Sequence, residues 1–215
     1  APLTRCRADL NTYIPNDLMT EYYTQRARHA GLVISEFTTV SEGAITFHTE
    51  GCIYNEEQAL GWKKVVDSVH AVGGKIFCQL AHGGRAAHPL SNNGKVPVSA
   101  SPIALLHTTA AEFNPTGEKQ PNVEPRELSD DEVKEIVQEF VAAAKRAVHI
   151  AGFDGVEVHG ANGYLIDQFL CENSNKRTSG PYAGETLETR AQFLTEVLEA
   201  VVEEVGIAVL VLRCW

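Results

Sequence analysis

Short apolar runs alternate with longer amphipathic stretches along these 215 residues, and that alternation limits the fold more than any other feature. Residues 31–36 (GLVISE), 75–80 (KIFCQL), 153–158 (FDGVEV) and 207–212 (IAVLVL) read as buried strands. Between them, 17–29, 56–72, 130–150 and 186–205 carry helical spacing. In the third of these, Val133, Ile136, Val137, Phe140, Val141 and Ala144 share one face, Ser129 and Glu132 form a capping box, and Gly152 is a stop signal. The stretch 85–127 carries Pro89, Pro97, Pro102, Pro115, Pro121 and Pro125 and is too long for a connector. It reads as a loop excursion over one face of a single domain spanning 1–215.

Buried strands joined by helices give a parallel sheet with right-handed crossovers, either open and doubly wound or closed into a barrel. The Gly-Gly pairs at 73–74 and 83–84 lack the G-x-G-x-x-G spacing of a dinucleotide fold. Polar residues gather instead at the carboxyl ends of the strands: Gln79 and His82, then His159 and Asn162, then Arg213. In a barrel those ends converge on one mouth, so residues far apart in sequence meet around one ligand. A (β/α)8 TIM barrel is therefore the expected architecture.

Eighteen Lys plus Arg against 28 Asp plus Glu leave a net charge of −10, with no basic run. Nucleic acid is not an expected partner, because phosphate neutralisation dominates such binding. No apolar run reaches the roughly 18 residues of a membrane span. Five cysteines, an odd number without a C-x-x-C pair, argue against a disulfide framework or a zinc finger and suit a reducing cytoplasm. The opening Ala1-Pro2-Leu3-Thr4-Arg5 is strand-like and has no secretory-signal pattern, and both ends read as cuts within a longer protein.

The segment Val156-Glu157-Val158-His159-Gly160-Ala161-Asn162-Gly163-Tyr164 presents His, Asn and Tyr within six positions after a strand. His159 and Asn162 can donate to one oxygen while the Tyr164 hydroxyl passes a proton to a nearby carbon. The same residues also read as a helix start capped by Asn162 with a packing Tyr. Glu157, inside an apolar strand, requires a hydrogen-bonding partner. The Gln79 amide donates and accepts at once, which suits the edge of a planar heterocycle or, equally, neighbouring backbone. His82, His88 and His159 match no zinc-ligand spacing, so no metal is expected. No activated Lys or Ser constellation speaks for an aldolase or hydrolase.

Several motifs, in order, resemble the Old Yellow Enzyme family of flavin-dependent ene-reductases. Ala1 to Ala8 is similar to the family's APLTR-x-RA opening, and Tyr22 to Ala27 to its YY-x-QRA helix. Gly51 to Tyr54 with Glu57, Gln58 and Trp62 resembles the lead into its second helix. Gln79 to Arg85 is similar to QL-x-H-x-GR, His159 to Leu165 to H-x-A-N-GYL, Asn175 to Thr178 to N-x-RT, and Glu188 with Arg190 to E-x-R. The resemblance implies an eight-stranded barrel, of which this chain holds about the first five strands.

It also implies a cofactor, FMN, reduced by NADPH or NADH, and a substrate, an α,β-unsaturated carbonyl compound, taken up in ping-pong order by a monomer or homodimer. Thr4 would bond flavin O4, Gln79 the pyrimidine edge and Arg213 N1 and O2, with backbone contacts from Pro2, Leu3 and the N–H of Phe37. His159 and Asn162 would grip the substrate carbonyl, and Tyr164 would be the proton donor. Thr4 and Asn162 place the chain nearest the family's fungal and bacterial branch. Phe37 stands where the family has a small residue, Ala81 where it has Trp, and Pro181-Tyr182-Ala183-Gly184 replaces a Tyr-Gly-Gly turn, so a strained positive φ is expected at Ala183. The family's flavin-phosphate site belongs to strands beyond Arg213. A second reading is therefore a truncated or diverged, non-catalytic fragment that does not hold FMN.

Overall fold

The computed structural model describes residues 2–105, 109–110, 120–206 and 210–213, with backbone alone for Thr109–Ala110 and Leu210–Arg213. The elements follow the expected alternation: α1 (Asp17–Ala27), β1 (Val33–Ile34), β2 (Thr38–Thr39), α2 (Glu56–Ala71), β3 (Ile76–Ala81), α3 (Asp130–Lys145), β4 (Gly155–His159), α4 (Leu165–Leu170), α5 (Leu187–Val205) and β5 (Leu210–Arg213). All five strands lie parallel in one sheet, in the order β1-β3-β4-β5, with β2 also on β3. The first rail is thus split into β1 and β2 by Ser35, Glu36 and Phe37. This is the strand–helix succession of a (β/α)8 barrel, present here in part; the sheet does not close among the described residues.

Helix ends form where the sequence places them. Ser129 accepts from the Glu132 N–H and Glu132 from the Ser129 N–H, completing the capping box of α3. The end of that helix widens into a π-turn over Arg146–Ala151, which the periodicity does not foretell. Gly152, at φ +82°, ends it, and the Phe153 N–H closes on the Ala147 carbonyl.

One layer of core lies between sheet and helices. From β3 it takes Ile76, Cys78 and Leu80, from β4 Val156 and Val158, from α2 Trp62, Val65, Val66 and Val69, and from α3 Val133, Phe140 and Ala144. Because side chains alternate along a strand, Gln79, Glu157 and His159 point to the opposite, barrel-interior side. At the amino ends of the strands, Asp154 binds Lys75 Nζ, His70 Nε2 and the Ile76 N–H, tying β3 to β4. That end is structural, and the chemistry-bearing residues are all at the other end.

Several expectations need correction. Residues 2–7 form no strand; the segment is pinned by the Glu36 carboxylate, which accepts the Arg5 N–H, and by the Ala8 N–H bonding Thr49 O. Asn162 does not cap α4: the residue at the cap is Tyr164, with no side-chain cap bond. Ala183 does not take positive φ; the left-handed residue of that turn is Gly180, at +84°. Strand 207–212 is seen as Leu210–Arg213, residues 207–209 lying outside the described residues. Likewise the excursion at 85–127 is described except for 106–108 and 111–119. It contributes a parallel pair, Val98–Ser99 with Arg126–Glu127, and an antiparallel one, Thr109–Ala110 with Gln120–Pro121.

Two buried side chains that the sequence did not single out hold the loops around the mouth. Gln168, on α4, donates to Gly83 O and Gly163 O, at 3.1 and 2.7 Å, and accepts from the Arg85 N–H and Ser99 Oγ, at 3.1 and 3.0 Å. One amide thus joins the loop after β3, the loop after β4 and the excursion. Gly83 must be glycine for a neighbouring reason, since a Cβ there would lie 1.9 Å from Thr46 Oγ1. Glu50, fully buried, accepts from Thr39 Oγ1 and from the N–H groups of Thr46 and Phe47, folding 46–50 into a turn. Burial outweighs those bonds and pushes the Glu50 carboxyl up to about 8.

Both tethers are open to measurement by urea unfolding of the intact protein that carries this chain. Gln168→Leu strands two carbonyls, an N–H and a hydroxyl at once and should cost about 2–4 kcal/mol; a loss below about 1 kcal/mol would show that water replaces the amide. Glu50, neutral when folded but ionised when unfolded above its ordinary range, makes the folded state lose stability as pH rises from about 4.5 to about 8. Glu50→Gln should remove that loss, on the order of 4 kcal/mol across this window, whereas parallel pH profiles for the two proteins would contradict the shift.

Candidate active site

The parallel register brings the polar residues of adjacent strands side by side. Gln79 of β3 lies opposite Glu157 of β4, and His159 lies opposite Arg213 of β5. The Gln79 amide nitrogen donates to Glu157 Oε1 at 2.6 Å, so the carboxylate inside the strand has the partner its burial demands. The same bond turns the Gln79 side chain into a fixed group, and its backbone N–H is held by Ser35 Oγ at 2.8 Å.

Above these, His159, 4% exposed, ends β4. Its Nδ1 accepts the Ala161 N–H at 3.3 Å, so the neutral ring carries its proton on Nε2 and acts there as a donor. His82 and His88 repeat the pattern two residues ahead, taking the N–H groups of Gly84 and Leu90. Burial drives the His82 imidazole down to about 3, which keeps it neutral. Among the described residues no three His, Cys, Asp or Glu side chains come together as a metal site.

After His159 the backbone turns through Asn162 at φ +60° and Gly163 at +76°. Asn tolerates the left-handed region better than other non-glycine residues, so it can occupy the turn and present its amide at the mouth. Tyr164 follows in extended conformation, with its ring perpendicular to that of His159 at 5.0 Å. The loop is fixed at both ends: Leu165 N–H bonds His82 O, and Gly163 N–H bonds Asp167 Oδ2.

One cavity of about 320 Å³ is lined by Pro2, Leu3, Thr4, Cys6, Phe37, Phe47, Gln79, His159, Asn162 and Tyr164. It therefore unites the residues expected to bind cofactor or substrate, except Arg213, whose side chain lies outside the described residues, though its backbone is in register beside His159; Glu157, His82 and His88 do not line it. Burial drives the Cys6 thiol up to about 12, so it is no ready nucleophile. Phe47 is the lining residue that the motifs did not indicate. Its presence follows from the turn built on Glu50, and no local sequence signal marks it.

To this cavity Thr4 offers a hydroxyl, Gln79 and Asn162 their amides, His159 its Nε2 donor and Tyr164 a phenol. The chain is 47% identical over 208 residues to a probable flavin mononucleotide-dependent alkene reductase of Leishmania infantum, covering 96% of this chain and 56% of that protein. It is 47% identical over 210 residues to 12-oxophytodienoate reductase 7 of Oryza sativa subsp. japonica, covering 96% and 51%. Among solved structures, the old yellow enzyme from Trypanosoma cruzi superposes with a TM-score of 0.96 at 44% identity, covering all of this chain and 60% of that one. Morphinone reductase gives 0.92 at 40% identity, covering 100% and 56%. The chain spans about half the length of the curated relatives it matches. Residues 1–214 match the family model, and the chain accordingly belongs to the NADH:flavin oxidoreductase / NADH oxidase family.

Proposed function

We propose that the protein carrying this chain is an FMN-dependent reductase that takes hydride from NADPH or NADH and saturates the activated C=C bond of α,β-unsaturated carbonyl compounds. The observation that carries this reading is the single cavity that Thr4, Gln79, His159, Asn162 and Tyr164 share. Its donor chemistry fits the isoalloxazine ring. The Thr4 hydroxyl and the Gln79 amide match its carbonyl and imide edge, Pro2, Leu3 and the Phe37 N–H supply backbone contacts, and Arg213 extends the row from β5. FMN, when bound, supplies the hydride.

The remaining work belongs to the side chains. His159 Nε2–H and the Asn162 amide both donate to the substrate carbonyl oxygen, where negative charge grows as the β carbon is reduced. Donors already fixed by the backbone, as His159 is by Ala161, stabilise that charge without reorganising, an effect worth about 3 kcal/mol per donor. Tyr164 delivers the proton to the α carbon. Nicotinamide and enone use the same mouth in turn. The odd thiol count supports a cytoplasmic location and the acidic charge small molecules rather than nucleic acid as partners, and we take the protein to be a monomer or homodimer. No helix among the described residues is long and apolar enough to cross a membrane.

A second reading, that these 215 residues alone do not hold FMN, is supported by the chain's spanning little more than half of its relatives. Stoichiometric FMN binding by the isolated chain would overturn it. For the first reading, the intact protein should show flavin absorbance and enone-dependent NADPH oxidation; lacking both, it is not such a reductase. In stopped-flow experiments, His159→Ala and Asn162→Ala should each slow reoxidation by enone about ten- to thousandfold, with a smaller effect on flavin reduction by NAD(P)H. Tyr164→Phe should slow the enone step and leave the nicotinamide step nearly intact, and equal slowing of both would remove Tyr164 as proton donor.

A further inference from the structure

Phe37 closes the break between β1 and β2, and its ring lines the mouth. Its centroid lies 4.7 Å from that of Tyr164, 5.9 Å from His159 and 5.9 Å from Phe47, in edge-to-face contact with each. With His159 and Tyr164 themselves 5.0 Å apart, three rings close a triangle. A flat ligand needs about 3.5 Å to the ring on either side, so roughly 7 Å between facing rings. None of these separations reaches that value. Nothing flat can sit between Phe37 and either functional ring.

The Phe37 side chain is also held in place. It is 2% exposed, and Phe47 backs it from a turn clamped by the Glu50 carboxylate. Its backbone follows Glu36, whose N–H bonds the buried Tyr23 hydroxyl at 2.7 Å while that hydroxyl donates to Glu36 Oε2 at 3.1 Å. Swinging the ring aside would give up three aromatic contacts.

From this geometry we infer that Phe37 determines substrate shape, admitting slim, single-ring or open-chain enones and excluding those with a second bulky group. The inference rests on the reductase reading above and deepens it. The test is calorimetric binding of cyclohex-2-enone and 4-phenylcyclohex-2-enone to the oxidised, FMN-loaded intact protein, where no turnover occurs. The native protein should bind the single-ring enone at least about tenfold more tightly than the phenyl derivative, and Phe37→Ala should abolish that preference by tightening the larger ligand. Phe37→Leu, which keeps more of the packing and the same backbone N–H, should fall between and serves if the alanine variant does not fold. An unchanged affinity ratio in the variants overturns the role of Phe37 alone. Failure of cyclohex-2-enone to bind the native, flavin-loaded protein overturns the reductase reading and this inference with it.

Discussion

The hydrogen bond between Gln79 and Glu157 is the contact on which the arrangement of the mouth depends. The two residues face each other across β3 and β4 on the barrel-interior side, 2.6 Å apart. A slip of one residue between these strands would turn the Val156 and Val158 side chains inward and leave a carboxylate among the helix-facing apolar residues. The buried polar pair is thus a register device, and the register in turn decides that the loops after β3 and β4 emerge together. His82 and His159 come to one end of the sheet for that reason.

Given the register, the loops are shaped by polar side chains that reach across them. Gln168 ties the loops together as Gln79 ties the strands, and its own amide is fully used, so that no hydrophobic residue could replace it. Glu36 and Glu50 do the same for the segment carrying Pro2, Leu3 and Thr4 and for the turn carrying Phe47. Both carboxyls are raised by burial, which the backbone N–H groups they accept only partly offset. A mouth built this way is rigid, and rigidity gives donors such as His159 their value at a developing oxyanion. It also makes a single bulky side chain such as that of Phe37 consequential, because the surroundings cannot yield to it.

Much of this was legible in the chain. The helices were marked by periodicity and, for α3, by the Ser129–Glu132 box and Gly152, because those signals act within one turn. The site residues were marked by their position after apolar runs, since in parallel α/β folds the carboxyl ends of strands gather on one side. What failed were inferences about local conformation that depend on a distant partner. The opening segment has strand composition but finds its hydrogen bonds in Glu36 and Thr49 instead of a neighbouring strand. Asn162 has a capping side chain but is needed in the left-handed turn. Ala183 is spared positive φ because Gly180 takes it.

By itself, then, the sequence determined the succession of strands and helices, the polar residues at the strand ends and membership of a family of barrels. Each rests on interactions between residues close along the chain or on a pattern of types. Only the tertiary structure decided which loops touch and what fills the space between them. Glu50, Gln168 and Phe47 acquire their roles from groups as much as 85 residues away. The size and position of Phe37 are written in the chain, whereas the direction of its ring, toward Tyr164 and His159, comes from the break between β1 and β2. That break exists because Tyr23 and the Arg5 backbone both converge on the Glu36 carboxylate, and no local signal announces such a convergence.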